Sequence, residues 1–404
     1  MIKKLVERIK ADYFAILCDE TTDISAIVQL SFCVRFVENN NVYEEFLQFV
    51  PVKDCTAAGL ATTIIEAVDT FQLESQKTVG QGYDGAGAMS GCLNGAQAII
   101  QQTFKMATYV HCASHSLNLS FVNACKLAQI RNCVGVINSV WEFFRYPKRN
   151  NVLAEELEKA EEEITGIGEE MEDVEEEREV TEEEREGERT GEDRERAEKD
   201  KPKGKKLKRL NPTRFVERHV SVINFIIFFE YVVRSLERIA EWKDKQTASS
   251  ATQLLHSICR FEFLISLYVI NEVFEITLPL SKYLQTENID LKLAVDSAMN
   301  VKASLEQARQ DVDDRFSKLF AIVSALCGKL DIPIQKPRTA TRQAHRSNYP
   351  AESAEDYFRT SICIPFLDET IHSIETKFLS HKKVLAPFPH LICPPQTAEY
   401  RYFN

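Results

Sequence analysis

The order of its apolar runs constrains this chain more than any other feature of the sequence. After a short amphipathic start, IKKLVERIK, the run YFAILCDE is apolar from Tyr13 to Cys18 and turns abruptly acidic at Asp19, the pattern of a buried strand. AIVQLSFCVRFVENNNVYEEFLQFVPV then gives two β-rich runs around Asn39, Asn40 and Asn41, which predicts an antiparallel hairpin. GLATTIIEAVDTFQL carries Leu60, Ile64, Ile65, Val68 and Phe71 at helical spacing, and KTVGQGYD is a short strand. NGAQAIIQQTF (helix), ATYVHCASH (strand into turn) and SLNLSFVNACKLA (helix) follow. The order is strand, strand, strand, helix, strand, helix, strand, helix.

That order decides the meaning of Val79 to Gly91, VGQGYDGAGAMSG, where Gly80, Gly82 and Gly85 spell a literal G-x-G-x-x-G. A dinucleotide fingerprint needs a first strand leading into the glycines and an acidic residue closing the next strand, about 20 residues on. Here an antiparallel meander comes first, and the next strand ends in His111. No nucleotide cofactor is expected, and a tight turn accounts for the glycines. The order fits a ribonuclease H-like α/β fold: a five-stranded mixed sheet flanked by helices, its first and fourth strands adjacent. Asp19 and Asp84 would then meet at one sheet edge, their carboxylates roughly 4 to 7 Å apart, as ligands of shared divalent metal would be.

CDETTD (Cys18 to Asp23), GYDGAGAMSG (Gly82 to Gly91), HCASHSLNL (His111 to Leu119) and NPTRFVERHVSV (Asn211 to Val222) occur in that order, and together they resemble the hAT superfamily of cut-and-paste DNA transposases. The nearest likeness is to the vertebrate branch that includes host proteins with zinc-finger MYM-type or THAP modules. The resemblance implies that Asp19 and Asp84 are the first two catalytic, metal-binding acids, with Mg2+ or Mn2+ as cofactor in an active member. It places Cys112 and His115 on a C-x-x-H motif whose histidine lies near the scissile phosphate. It sets Phe215, after the Thr-Arg pair, where the family has a base-stacking Trp. The family's third acid lies in a C-terminal S-x-x-E-R-x-F-S kind of motif, which does not occur here. Glu369, Glu375 and Glu399 are available, but none has that context. The dimerisation segment is not visible either, and zinc-finger or THAP spacing is absent. His111, Cys112 and His115 lack a fourth ligand at finger spacing, so zinc is not expected.

Charge is unevenly spread. Of a formal net charge of -12, residues Glu155 to Asp200 hold 24 acidic against 7 basic side chains, leaving the rest mildly basic. So dense a run cannot bury enough apolar surface to order itself and reads as a surface insertion without tertiary contacts. The basic stretch Lys201 to Arg209, Lys205 and Lys206 included, reads equally as a phosphate contact, a nuclear address or a local counter-charge to the acidic run; Arg214, Phe215 and Arg218 are candidate DNA contacts, as is the stretch Lys336 to Arg346. The expected division is 1–150, the first part of the core; 151–210, an acidic then basic insertion; 211–335, a helical insertion domain; and 336–404, a basic loop and C-terminal helix. Eleven scattered cysteines without a C-x-x-C pair read as reduced, mostly core thiols, and Glu142 as a surface residue. No apolar run reaches the roughly 18 residues of a membrane span. The expectation is a nuclear, transposase-derived protein that binds DNA or protein partners, or itself, without cutting; the alternative is an active metal-dependent transposase.

Overall fold

The computed structural model describes residues 2–9, 13–22, 27–39, 41–85, 87–160, 207–208, 215–286, 291–337 and 351–385. Lys205, Lys206, Arg214, Glu399, most of the acidic run and residues 338–346 lie outside these. Two compact units divide the chain. The first comprises Met1–Phe121, Pro279–Ala303 and Ile371–Asn404, the second Val122–Leu278 and Ser304–Thr370.

In the first unit, helix α1 (Ile2–Ile9) precedes three antiparallel strands, β1 (Phe14–Thr22), β2 (Val28–Glu38) and β3 (Asn41–Pro51). Then come α2 (Ala57–Thr70), β4 (Thr78–Tyr83), the single turn α3 (Gly87–Ser90), α4 (Ala96–Thr103), β5 (Thr108–His111) and α5 (Ala113–Ala124). The sheet order is β3-β2-β1-β4-β5, with β1, β4 and β5 mutually parallel. This is the mixed sheet of a ribonuclease H-like α/β fold, with the first and fourth strands side by side. The hairpin turns at Asn39, whose φ of 50° is left-handed, a conformation asparagine tolerates better than most residues.

Alternation sends Phe14, Ile16 and Cys18 of β1 and Leu30, Phe32, Val34 and Phe36 of β2 to one face, where they pack with Val6 and Ile9 of α1, Leu60, Ile64 and Val68 of α2, and Ile100 of α4. Burying each such side chain contributes about 1.5–3 kcal/mol. Thr56 caps α2, its hydroxyl accepting from the Gly59 N–H at 3.2 Å. Gln81 is the polar exception in the strand core. Its carboxamide donates to the carbonyls of Gln97 and Ala107, both at 3.0 Å, and so ties β4 to α4 and to the approach to β5.

The glycines of the G-x-G-x-x-G do something other than turn. Gly80 and Gly82 lie inside β4, and a Cβ on them would come within 2.8 Å of the Ala15 Cβ and 2.7 Å of Leu17 Cδ2. They are needed for close approach of β1, not for a left-handed φ.

The second unit is helical: Ala128–Phe144, residues 147–160, Phe215–Ile227, Phe229–Ala240, Lys245–Ile258, most of Phe261–Tyr283, and Val312–Lys329. Phe225, Phe229 and Phe263 form one ring cluster, and Phe261, Phe320 and Phe358 another. Helices Phe215–Ile227 and Phe229–Ala240 meet at a 68° bend around Phe228. Helix Phe261–Tyr283 corrects the reading that nothing here is span-length: by length and composition it could cross a bilayer. Its Leu264, Ile265, Leu267, Ile270 and Phe274 are instead buried within this unit, as in the core helix of a globular domain.

The acidic run also begins later than its composition suggests. Helix 147–160 buries Val152, Leu153, Leu157 and Ala160. Glu156, only 6% exposed, receives Arg238 at 2.5 Å and Lys159 at 3.1 Å, while Arg238 also reaches Glu155 at 2.9 Å. Residues 155–160 therefore belong to the folded unit. The cysteines are likewise not all core: Cys18, Cys133, Cys327 and Cys363 are buried, whereas Cys55 and Cys92 are exposed.

Candidate functional site

The parallel pairings of β1, β4 and β5 run out at the same edge of the sheet, and the sequence places a reactive side chain just beyond each. Asp19 sits where β1 leaves β4: the parallel pairing runs to Leu17 opposite Gly82, while β1 continues to Thr22 against β2. It is thus not at the strand terminus, as its place in the sequence suggests, but at the end of the parallel ladder. Asp84 is the first residue beyond β4. Period-two alternation carries Ala15, Leu17 and Asp19 to the same face as Gly80, Gly82 and Asp84, as the contacts of Ala15 and Leu17 over the two glycines require. His111 closes β5, and the Cys112 N–H donates to the Tyr83 carbonyl at 3.0 Å, which pins the turn into α5 against the end of β4. His115 lies in the first turn of α5, its ring centre 5.7 Å from that of His111.

These groups act on one another's charge. Burial and then the Asp84 charge raise the proton affinity of Asp19, while the Glu20 N–H and His115 act the other way. Glu20 is raised by burial and by the charges of Asp84 and Asp19. The Tyr109 phenol, pushed up to about 12 by burial, Asp84 and Cys112, donates to the Asp84 carbonyl at 3.3 Å. Cys112 is exposed as a residue, yet the crowding of protein atoms around its sulfur raises the thiol, the N–H groups of His115 and Ser114 pull it back, and Asp19 and Asp84 raise it further. Gly85 is the seat of the two imidazoles. A Cβ there would stand 2.5 Å from His111 Nε2 and 2.9 Å from His115 Cδ2.

Asp19, Asp84, Cys112 and His115 are therefore brought together. Glu20 and Tyr109 join them without having been singled out in the sequence, since alternation along β1 directs attention away from Glu20, and Gly85, read from the sequence as part of a turn, joins them as well. Two neighbouring carboxylates, the charge of Asp84 felt by Asp19, suit a hard divalent cation such as Mg2+ or Mn2+. Among the described residues, however, no group of three or more His, Cys, Asp or Glu is arranged to hold a metal ion. Of the acids considered for the third position, Glu375 is 3.2 Å from Lys302 in an ion pair, and Glu369 is exposed on helix Ile364–Leu385.

The basic candidates are placed differently. Phe215 opens helix Phe215–Ile227. Arg218 is partly buried near Cys125, and that burial lowers its proton affinity.

A sheet of this order with paired acids at its parallel edge defines a ribonuclease H-like α/β domain. The family model described as "DUF4371: ZMYM1/FAM200, RNase-like domain" matches residues 1–95, a span that holds both Asp19 and Asp84. The chain is also similar to the human (Homo sapiens) protein "52 kDa repressor of the inhibitor of the protein kinase", 23% identical over 389 residues, which cover 92% of this chain and 45% of the relative. The mouse (Mus musculus) protein of the same name is 23% identical over 390 residues, covering 92% and 46%. The chain spans less than half the length of these curated relatives.

Proposed function

We propose that this chain is a transposase-derived nuclear protein of the hAT kind that binds DNA, together with partner proteins, and does not cut it. The reading is carried by one observation: Asp19, Asp84 and His115 converge at the parallel edge of a ribonuclease H-like sheet, while among the described residues Glu375 is held in an ion pair with Lys302 and Glu369 is exposed on its helix. The curated relatives bear the name of a repressor, and occupancy of DNA without cleavage is a direct way to repress. That name supports a nuclear setting for the chain. The paired carboxylates themselves favour a second reading, an active transposase that uses Mg2+ or Mn2+.

Filter binding across a salt series tests the binding half. If the basic residues of 201–218 and 336–346 meet phosphates, log affinity for duplex falls with log salt by about 0.9 per phosphate contacted. Phe215→Ala should cost about 1–3 kcal/mol on a substrate with an unpaired base and little on intact duplex. Affinity indifferent to salt contradicts the proposal.

A further inference from the structure

The second unit contains a cavity of about 650 Å3 where helix Ala128–Phe144 turns into helix 147–160, closed on its other side by helix Lys245–Ile258. Its walls combine two guanidiniums, Arg145 and Arg149, with an exposed phenol ring, Tyr146. The guanidinium carbons lie 5.9 Å (Arg145) and 4.8 Å (Arg149) from the centre of the Tyr146 ring. Arg149 is fixed from behind: it donates to the Phe143 carbonyl at 3.3 Å and to Thr247 Oγ1 at 3.4 Å, and Thr247 in turn donates to Asp244 at 2.6 Å. Arg145 also lies 6.0 Å from the Trp141 ring centre. Ser250 spends its hydroxyl proton on the Gln246 carbonyl at 3.0 Å, which leaves its oxygen able to accept. Glu142 is the single acid on the wall.

An acidic peptide would be served by the cations alone. The ring, half open to solvent beside two cations, calls for a ligand that has a flat π-face as well as negative charge. We infer that this cavity binds unpaired, single-stranded nucleic acid, with phosphate on Arg145 and Arg149 and a base stacked on Tyr146. The inference rests on the DNA-binding reading above but moves the contact to a place where no family motif of the sequence lies.

Fluorescence anisotropy of the full chain with a labelled oligothymidylate, beside a duplex control, tests it. Tyr146→Ala should weaken single-strand binding roughly tenfold, the effect of one lost base-aromatic stack, and Tyr146→Phe should retain it. Arg145→Gln should lower the single-strand salt slope by about 0.7. Circular dichroism checks that each variant is folded. If the wild-type chain binds DNA but Tyr146→Ala and Arg145→Gln bind the oligomer as it does, the inference is overturned and the DNA-binding reading stands. Displacement of the oligomer by polyglutamate as readily as by unlabelled oligothymidylate would also overturn it, since charge alone would then suffice. Absence of binding to either DNA overturns both.

Discussion

Deleting residues 155–200 is expected to destabilise the helical unit by on the order of 3 kcal/mol or more, whereas deleting 161–200 leaves its melting temperature within experimental error. The two deletions differ by six residues, and those six carry the packing. Leu157 is 3% exposed, and loss of a buried leucine side chain costs about 2–5 kcal/mol. Glu156 is nearly buried, and its removal strands Arg238, which spans Glu155 and Glu156. The contribution of this pair depends on pH. Burial works to raise Glu156, but the hydrogen bonds and charges of Lys159 and Arg238 outweigh it and hold the carboxyl below its ordinary value. A carboxyl depressed by folding stabilises the native state above its unfolded pKa, and that stability is lost as pH falls through the folded value. The gap in stability between wild type and Glu156→Gln should therefore be full at neutral pH and close under acid, below the ordinary range of glutamate. Equal melting temperatures for the two deletions would show that 155–160 adds nothing.

Gly85→Val is expected to have the second large effect. The new Cβ enters space held by both the His111 and His115 rings, and overpacking of this kind typically costs 1–3 kcal/mol. The rings cannot yield independently, because the Cys112 N–H anchors the segment between them to the Tyr83 carbonyl. Thermal unfolding should shift down, and the imidazole NMR signals of both histidines should move together. Gly87→Val has nothing within 4 Å of its Cβ and serves as the control. Matching histidine spectra for Gly85→Val and wild type would refute the packing described.

Much of the first unit was legible because its strands differ in kind. The run from Tyr13 to Cys18 is apolar without alternation, as a central strand must be, and β2 and β3 flank asparagines that tolerate the hairpin turn. Asp19 and Asp84 stood out as charges at the ends of such runs. What stayed hidden depended on cross-chain distances. Gly80, Gly82 and Gly85 match a loop motif, and only the nearness of Ala15, Leu17 and two imidazoles shows that they make room. Gln81 reads as a polar interruption until its two carbonyl partners are seen. Where the acidic run begins, Leu153, Leu157 and Ala160 do recur at helical spacing, but the glutamates among and after them outweigh that periodicity in any compositional reading. The Arg145, Tyr146 and Arg149 cavity takes its far wall from about 100 residues downstream, a distance local pattern does not bridge.

The account turns on whether the site at the sheet edge cuts DNA. A strand-cleavage assay with Mg2+ or Mn2+ on hairpin-forming transposon-end substrates, comparing the chain with Asp84→Asn, measures this directly. A missing charge-stabilising group commonly lowers rate by a factor of about 10² to 10³. Neither protein should yield cleaved strands; cleavage by the wild-type chain that Asp84→Asn abolishes would contradict the account and establish an active transposase.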